Sequence, residues 1–151
     1  MVNLKDMEGT WYVNRSSFSL WLKGDKSNPV FHYELVVCQD EKTGLIYRLS
    51  YQKDGRLHSM NGFDELDDAE RKEFTWRGEG LTRFFKNKWE VIYIDENKDW
   101  AIIHFKKTFF TPEGYDIVSR YKNLNARMRT VISQAQKRLQ LEALLTPIYQ
   151  V

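Results

Sequence analysis

Three histidines, His32, His58 and His104, fall in three separate stretches of alternating apolar and polar residues. Together they would offer a metal site only if all three faced one interior at one height, and neither H-x-x-x-H nor H-x-H spacing is present, so no metal centre is expected. His104 shares its side of the alternation with Trp100 and Ile102, which the reading places inside. It is therefore the best single candidate for a polar group in an interior pocket, the plainer reading being a hydrogen-bonded core or rim histidine. His32 and Glu34 share a face opposite a clearly apolar one and read as solvent-facing. Asp116 and Arg120 also share a face, whose side the alternation leaves open. Neither pair supports general acid–base catalysis.

Nucleophilic chemistry is equally unsupported. Ser16, Ser17 and Ser19 have no histidine near them in sequence and no G-x-S-x-G turn. Cys38 has no basic or histidine neighbour to lower its pKa, and reads as a small buried or rim residue. The run RGEGLTRFF lacks the spacing of a phosphate loop; it reads as a connection whose Leu81, Phe84 and Phe85 fold over one end of the structure. The acidic run DELDDAE, Asp64 to Glu70, lacks the order of an EF-hand loop and reads as a solvated loop. No catalytic residue and no cofactor are expected.

Composition narrows the class. The 151 residues carry 23 basic against 21 acidic side chains, a formal charge of +2, too near balance for nucleic-acid binding driven by phosphate contacts. The chain suits one domain with one core, and aromatic residues make up 15%, a surplus that suggests a lined cavity. A lone cysteine allows no internal disulfide, and neither a leader pattern nor an apolar run of membrane-spanning length is present, so a cytoplasmic location without a membrane span is expected. The oligomeric state is not legible.

The elements that must position these residues are strands first and a helix last. TWYVNRSS, PVFHYELVVC, TGLIYRLSYQ, GRLHSMNG, KEFTWRG, NKWEVIYI, DWAIIHFKK and GYDIVSRYKN are eight candidate strands, separated by turn-forming clusters such as GDKSNP, KDGR and TPEG. NKWEVIYI and DWAIIHFKK are apolar on both sides, so something must cover their outer face. The cover is a helix expected over 125–142 with Asn125 as its N-cap, whose Leu124, Met128, Val131, Ile132, Ala135 and Leu139 form one apolar stripe. Its basic residues Arg127, Arg129, Lys137 and Arg138 read as solubilising charges. Residues 146–151 look extended. Eight antiparallel strands leave open edges unless the sheet closes, so the fold class expected is a mainly β, eight-stranded antiparallel up-and-down barrel over about 9–122 with the helix packed outside.

G-T-W at the opening of strand one, eight strands, Arg120 late in strand eight and a following amphipathic helix together resemble the lipocalins of the calycin superfamily. The resemblance covers most of the chain. It implies that Trp11 plugs the closed end of the barrel, that Arg120 packs across it as a cation–π contact, that Gly9 lets the entering segment turn, and that Leu4 and Met7 close the base. The family's T-D-Y motif is represented only by Asp95 and Trp100 in IDENKDW, and the family's usual disulfide is absent. GEG and WEVIYI are also similar to the lipocalin-like domain of violaxanthin de-epoxidase.

The resemblance implies binding or transport of a small hydrophobic or amphipathic molecule. The candidate ligand-binding residues are Tyr33, Leu35, Tyr47, Leu49, Met60, Phe74, Trp76, Trp89, Val91, Tyr93, Ile102 and His104. Two alternatives stand beside it: an isomerase or de-epoxidase-like enzyme using the same barrel, and a barrel filled by its own aromatics that serves as an interaction module.

Overall fold

The computed structural model describes residues 3–37, 43–82, 86–109 and 111–151, with the side chains of Val37 and Leu81 left out. Cys38, Phe84 and Phe85 lie outside the described residues, so the readings made of them have no structural counterpart here, nor has that of the Leu81 side chain.

Strands β1 (Gly9–Ser16), β2 (Ser27–Val37), β3 (Thr43–Lys53), β4 (Arg56–Asp68), β5 (Glu73–Gly78), β6 (Lys86–Ile94), β7 (Trp100–Phe105) and β8 (Gly114–Ser119) pair with their sequence neighbours, all antiparallel. β1 pairs with both β2 and β8, which closes the sheet into an eight-stranded barrel and leaves no open edge between them. A one-turn helix α1 (Ser19–Leu22) joins β1 to β2, α2 (Ala126–Arg138) follows β8, and β9 (Thr146–Pro147) adds to β1 where β2 has diverged. The acidic run read as a loop is largely strand: β4 carries the chain through Asp68 before turning.

One end of the barrel is closed by the predicted plug. Trp11 is fully buried, its indole N–H donates to the Met7 carbonyl at 2.8 Å, and the Arg120 guanidinium lies 3.6 Å from its ring centre. Arg120 also donates to the carbonyls of Thr10 at 3.0 Å and Asp6 at 2.8 Å, so a single side chain ties the last strand to the first and to the entering turn. Gly9 has φ +95°, and a Cβ there would sit 3.2 Å from the Arg120 guanidinium. A side chain at this position would be strained in backbone and would crowd the cation at once.

α2 begins as expected, with Asn125 Oδ1 accepting from the Met128 N–H at 2.9 Å. It covers an outer apolar cluster of Trp100, Ile102, Ile117, Ile132, Ala135, Leu141 and Leu145, with Tyr93, Tyr115, Leu124 and Met128 at its margin. The stripe differs from the expected one at two places: Val131 and Leu139 are exposed, and Gln136 takes a buried position. Gln136 is buried because Arg15, projecting outward from β1, hydrogen-bonds its side-chain oxygen together with Ser133 Oγ and the Arg129 carbonyl. Replacing Ile132 with Ala is expected to cost about 2–5 kcal/mol in urea unfolding, whereas Val131→Ala stays within about 0.5 kcal/mol of the parent. Equal losses at both positions would contradict this docking.

Candidate functional site

The interior is not filled. A cavity of about 480 Å³ lies between the plug and the opposite end, within the size range of small-molecule sites. α1 contributes Ser19, Leu20 and Trp21 to its rim; Thr82 enters between β5 and β6, and Lys86 and Asn87 from the start of β6; Thr108, Thr111 and Pro112 enter between β7 and β8. These connections alternate with the ones at the plugged end, as an up-and-down barrel requires. Phe18 packs edge-on against Phe105 at 5.3 Å, and Gly114 leaves room for the Phe18 ring, since a Cβ there would fall 2.3 Å from it.

The walls come from inward positions two residues apart on neighbouring strands. Phe31 and Tyr33 on β2, Tyr47 and Leu49 on β3, Met60 and Asp64 on β4, Trp76 on β5, Trp89 on β6 and Asp116 on β8 all line the cavity. The rings hold one another: Tyr33 stacks on Trp89 at 5.9 Å, Phe74 stacks on the other side of the cluster against Trp89 at 4.3 Å, and Tyr47 meets Trp76 edge-on at 5.7 Å. Gly62 permits the Trp76 placement, because a Cβ there would lie 2.4 Å from the indole nitrogen.

Of the residues expected at the site, Tyr33, Tyr47, Leu49, Met60, Trp76 and Trp89 stand on the cavity wall. Leu35, Phe74 and Val91 point into the barrel but pack in its core toward the plugged end. Tyr93, Ile102 and His104 are outside, and two distinct causes put them there. The β6–β7 register shifts between Val91 and Tyr93, a bulge that turns the alternation over, so Tyr93 leaves the interior, stacks near Trp100 at 4.9 Å and Ile94 points inward instead. On β7 both faces are apolar, so the alternation does not say which is interior: Ala101 and Ile103 are inside, whereas Trp100 and Ile102 meet α2.

His104 sits on the outer face between two carboxylates, its Nδ1 2.9 Å from Glu90 Oε1 and its Nε2 2.6 Å from Glu113 Oε1, with Tyr115 stacked at 4.7 Å. His32 bonds Thr10 Oγ1 at 3.2 Å and His58 stacks on Tyr51, both exposed. The three histidines do not converge, and among the described residues no three His, Cys, Asp or Glu side chains gather as metal ligands.

The two residues with the strongest chemical character were missed as site residues. Asp64 is 0% exposed, its Oδ1 accepting from the Trp89 indole N–H at 2.7 Å while its Oδ2 has no partner among the described residues. Burial pushes its pKa up to about 8, the Trp89 bond offsetting part of the rise. Asp116 is 1% exposed, accepts from Ser16 Oγ at 2.5 Å and is pushed by burial to about 7. Burial raises the Tyr33 and Tyr47 hydroxyls well above their usual range, and both carboxyls add to this, which places the four groups in one electrostatic neighbourhood. The Trp76 indole N–H, also buried, has no partner among the described residues. A signal for each carboxyl existed in the alternation: Asp64 is four residues from Met60 on the same face, and Asp116 is four from Arg120, whose inward position follows from the plug.

No protein-family model matches the chain, and no curated protein sequence is detectably similar to it. Solved structures are. Lobster apocrustacyanin A1 superposes with a TM-score of 0.71 at 16% identity, over 99% of this chain and 80% of that one. The siderocalin Ex-FABP, which functions through dual ligand specificities, gives 0.67 at 10% identity over 97% and 95%. The cockroach allergen Per a 4 gives 0.68 at 8% identity over 99% and 89%. The fold is that of the lipocalins. Within a lipocalin barrel, the tryptophan–arginine plug marks the closed end, so the cavity described above occupies the other end of the same interior.

Proposed function

We propose that this chain binds one small hydrophobic or amphipathic molecule inside its barrel. The observation that carries the reading is the cavity of about 480 Å³ walled by Phe31, Tyr33, Tyr47, Leu49, Met60, Trp76 and Trp89. Apolar and aromatic walls supply affinity through area removed from water, and a few polar tips set orientation. The likeness in fold to a siderocalin described as having dual ligand specificities supports the same reading. An enzyme using the same barrel would rest on His104 or an inward carboxylate as its acid–base group; His104 lies on the outer face, bonded to Glu90 and Glu113, whereas Asp64 and Asp116 line the cavity.

The test is calorimetric titration with 1-decanol, an uncharged amphipathic probe. Saturable binding of one molecule per chain is expected. Leu49 and Met60 are cross-strand partners on the wall, so the double variant Leu49→Trp, Met60→Trp fills the space and weakens binding at least about ten-fold while the melting temperature is kept. Unchanged affinity in that variant would show that the alcohol binds elsewhere and would overturn the proposal.

A further inference from the structure

The buried polar groups of the cavity wall are the carboxyls of Asp64 and Asp116 and the rings of Tyr33, Tyr47, Trp76 and Trp89, while Ser19, Thr82, Asn87, Thr108 and Thr111 stand where the connections enter. Among the described residues, Lys86 at the rim is the one basic side chain on its wall. The Asp64 carboxyl is completely buried at the wall and is held in place through Oδ1 by Trp89, and among the described residues its second oxygen, Oδ2, has no hydrogen-bond partner. A buried carboxyl oxygen without a partner is costly to leave so, and an occupant of the cavity is placed to supply one. Around it stand Tyr33, Tyr47 and Trp76, ring faces that attract cations, while the second buried carboxyl, Asp116, adds negative potential and disfavours an anionic head group. At roughly 30 Å³ per water-sized group, the space holds on the order of 15 non-hydrogen atoms.

We propose that the occupant is a small amphipathic amine, its ammonium donating to Asp64 among the rings of Tyr33, Tyr47 and Trp76 and its apolar body lying against Leu49, Met60 and Phe31. This rests on the cavity-binding reading above and names its ligand class. In the empty site the Asp64 carboxyl keeps its proton near neutrality. When a protonated amine enters, the carboxyl ionises, the proton leaves to solvent and an ammonium–carboxylate pair forms. The titratable groups facing that event are Asp64, Asp116, Tyr33 and Tyr47, with Lys86 at the rim.

Three probes with one chain length separate the possibilities: decylamine, 1-decanol and decanoate, titrated by calorimetry at pH 7 in two buffers of different ionisation enthalpy. Decylamine is expected to bind about ten-fold or more tightly than 1-decanol, decanoate more weakly than either, and the amine alone to release about one proton. Asp64→Asn keeps an acceptor for Trp89 and remains neutral as the parent side chain is, so it should fold; in it the amine preference drops to within about three-fold while 1-decanol binding persists. Equal binding of amine and alcohol, tighter binding of decanoate, absence of proton release, or a full amine preference in Asp64→Asn overturns the amine assignment and leaves the cavity reading standing. Failure of all three probes to bind overturns both.

Discussion

Replacing Trp11 with alanine is expected to lower the free energy of unfolding by about 3–5 kcal/mol, a large share of what a domain this size possesses. The side chain is fully buried, bonded to the Met7 carbonyl and stacked beneath the Arg120 guanidinium. Its removal opens a void at the closed end and leaves Arg120 without its ring. Arg120→Met separates the two contributions: it retains much of the stem's packing but loses the cation–π contact and both bonds to the Thr10 and Asp6 carbonyls, and should cost about 1–3 kcal/mol. Because Trp11 does not line the cavity, the folded fraction of either variant should bind 1-decanol as the parent does. Urea unfolding and calorimetry check the two halves; an unchanged midpoint with binding abolished would reverse the roles assigned to plug and cavity.

The second large effect is on the pH dependence of stability. Asp64 and Asp116 have folded-state pKa values of about 8 and about 7, raised by burial from the ordinary 3.8. Between about pH 4 and those values the native chain therefore holds more protons than the unfolded chain, and the stability tied to these groups falls as pH rises. Their contribution is fully favourable below about pH 4, is lost progressively up to pH 7 to 8, and is flat above. The slope is roughly 1 kcal/mol per pH unit for each carboxyl within its window. The double variant Asp64→Asn, Asp116→Asn has no proton to lose, so its unfolding free energy should gain on the parent by a few kcal/mol from pH 5 to pH 8. A constant difference across that range would mean that the two acids are not desolvated as described.

The barrel was legible in the sequence because its strands alternate cleanly on β2 and β3, its turns carry the residues that turns need, and Trp11 and Arg120 occupy positions with a recognisable partnership. The helix was legible in its start at Asn125, and less so in its face. Gln136 is buried by a bond to Arg15, which lies more than a hundred residues away in sequence, a long-range partner that helical periodicity does not reveal. The interior lists failed where alternation carries no unique phase. β7 is apolar on both sides, so Ile102 and His104 were assigned inward when Ala101 and Ile103 are, and the bulge after Val91 reversed the phase before Tyr93. Asp64 was missed for the opposite reason: its neighbours Glu65, Asp67 and Asp68 gave the segment the composition of a loop, although its spacing from Met60 already put it on the inner face. An acid on an inner face runs against the hydrophobic pattern, and such a local conflict is what a functional position looks like in sequence.

Occupation of the barrel interior by one amphipathic molecule beside Asp64 is read out by the indole N–H signals in a 15N NMR titration with decylamine. Trp21, Trp76 and Trp89 line the cavity, Trp11 lies in the plug and Trp100 lies outside under the helix. Saturable shifts are expected at Trp76 and Trp89, with the Trp89 N–H on Asp64 moving most, and near-constant signals for Trp11 and Trp100. Shifts confined to Trp100, or no indole shift at saturating probe, would contradict it.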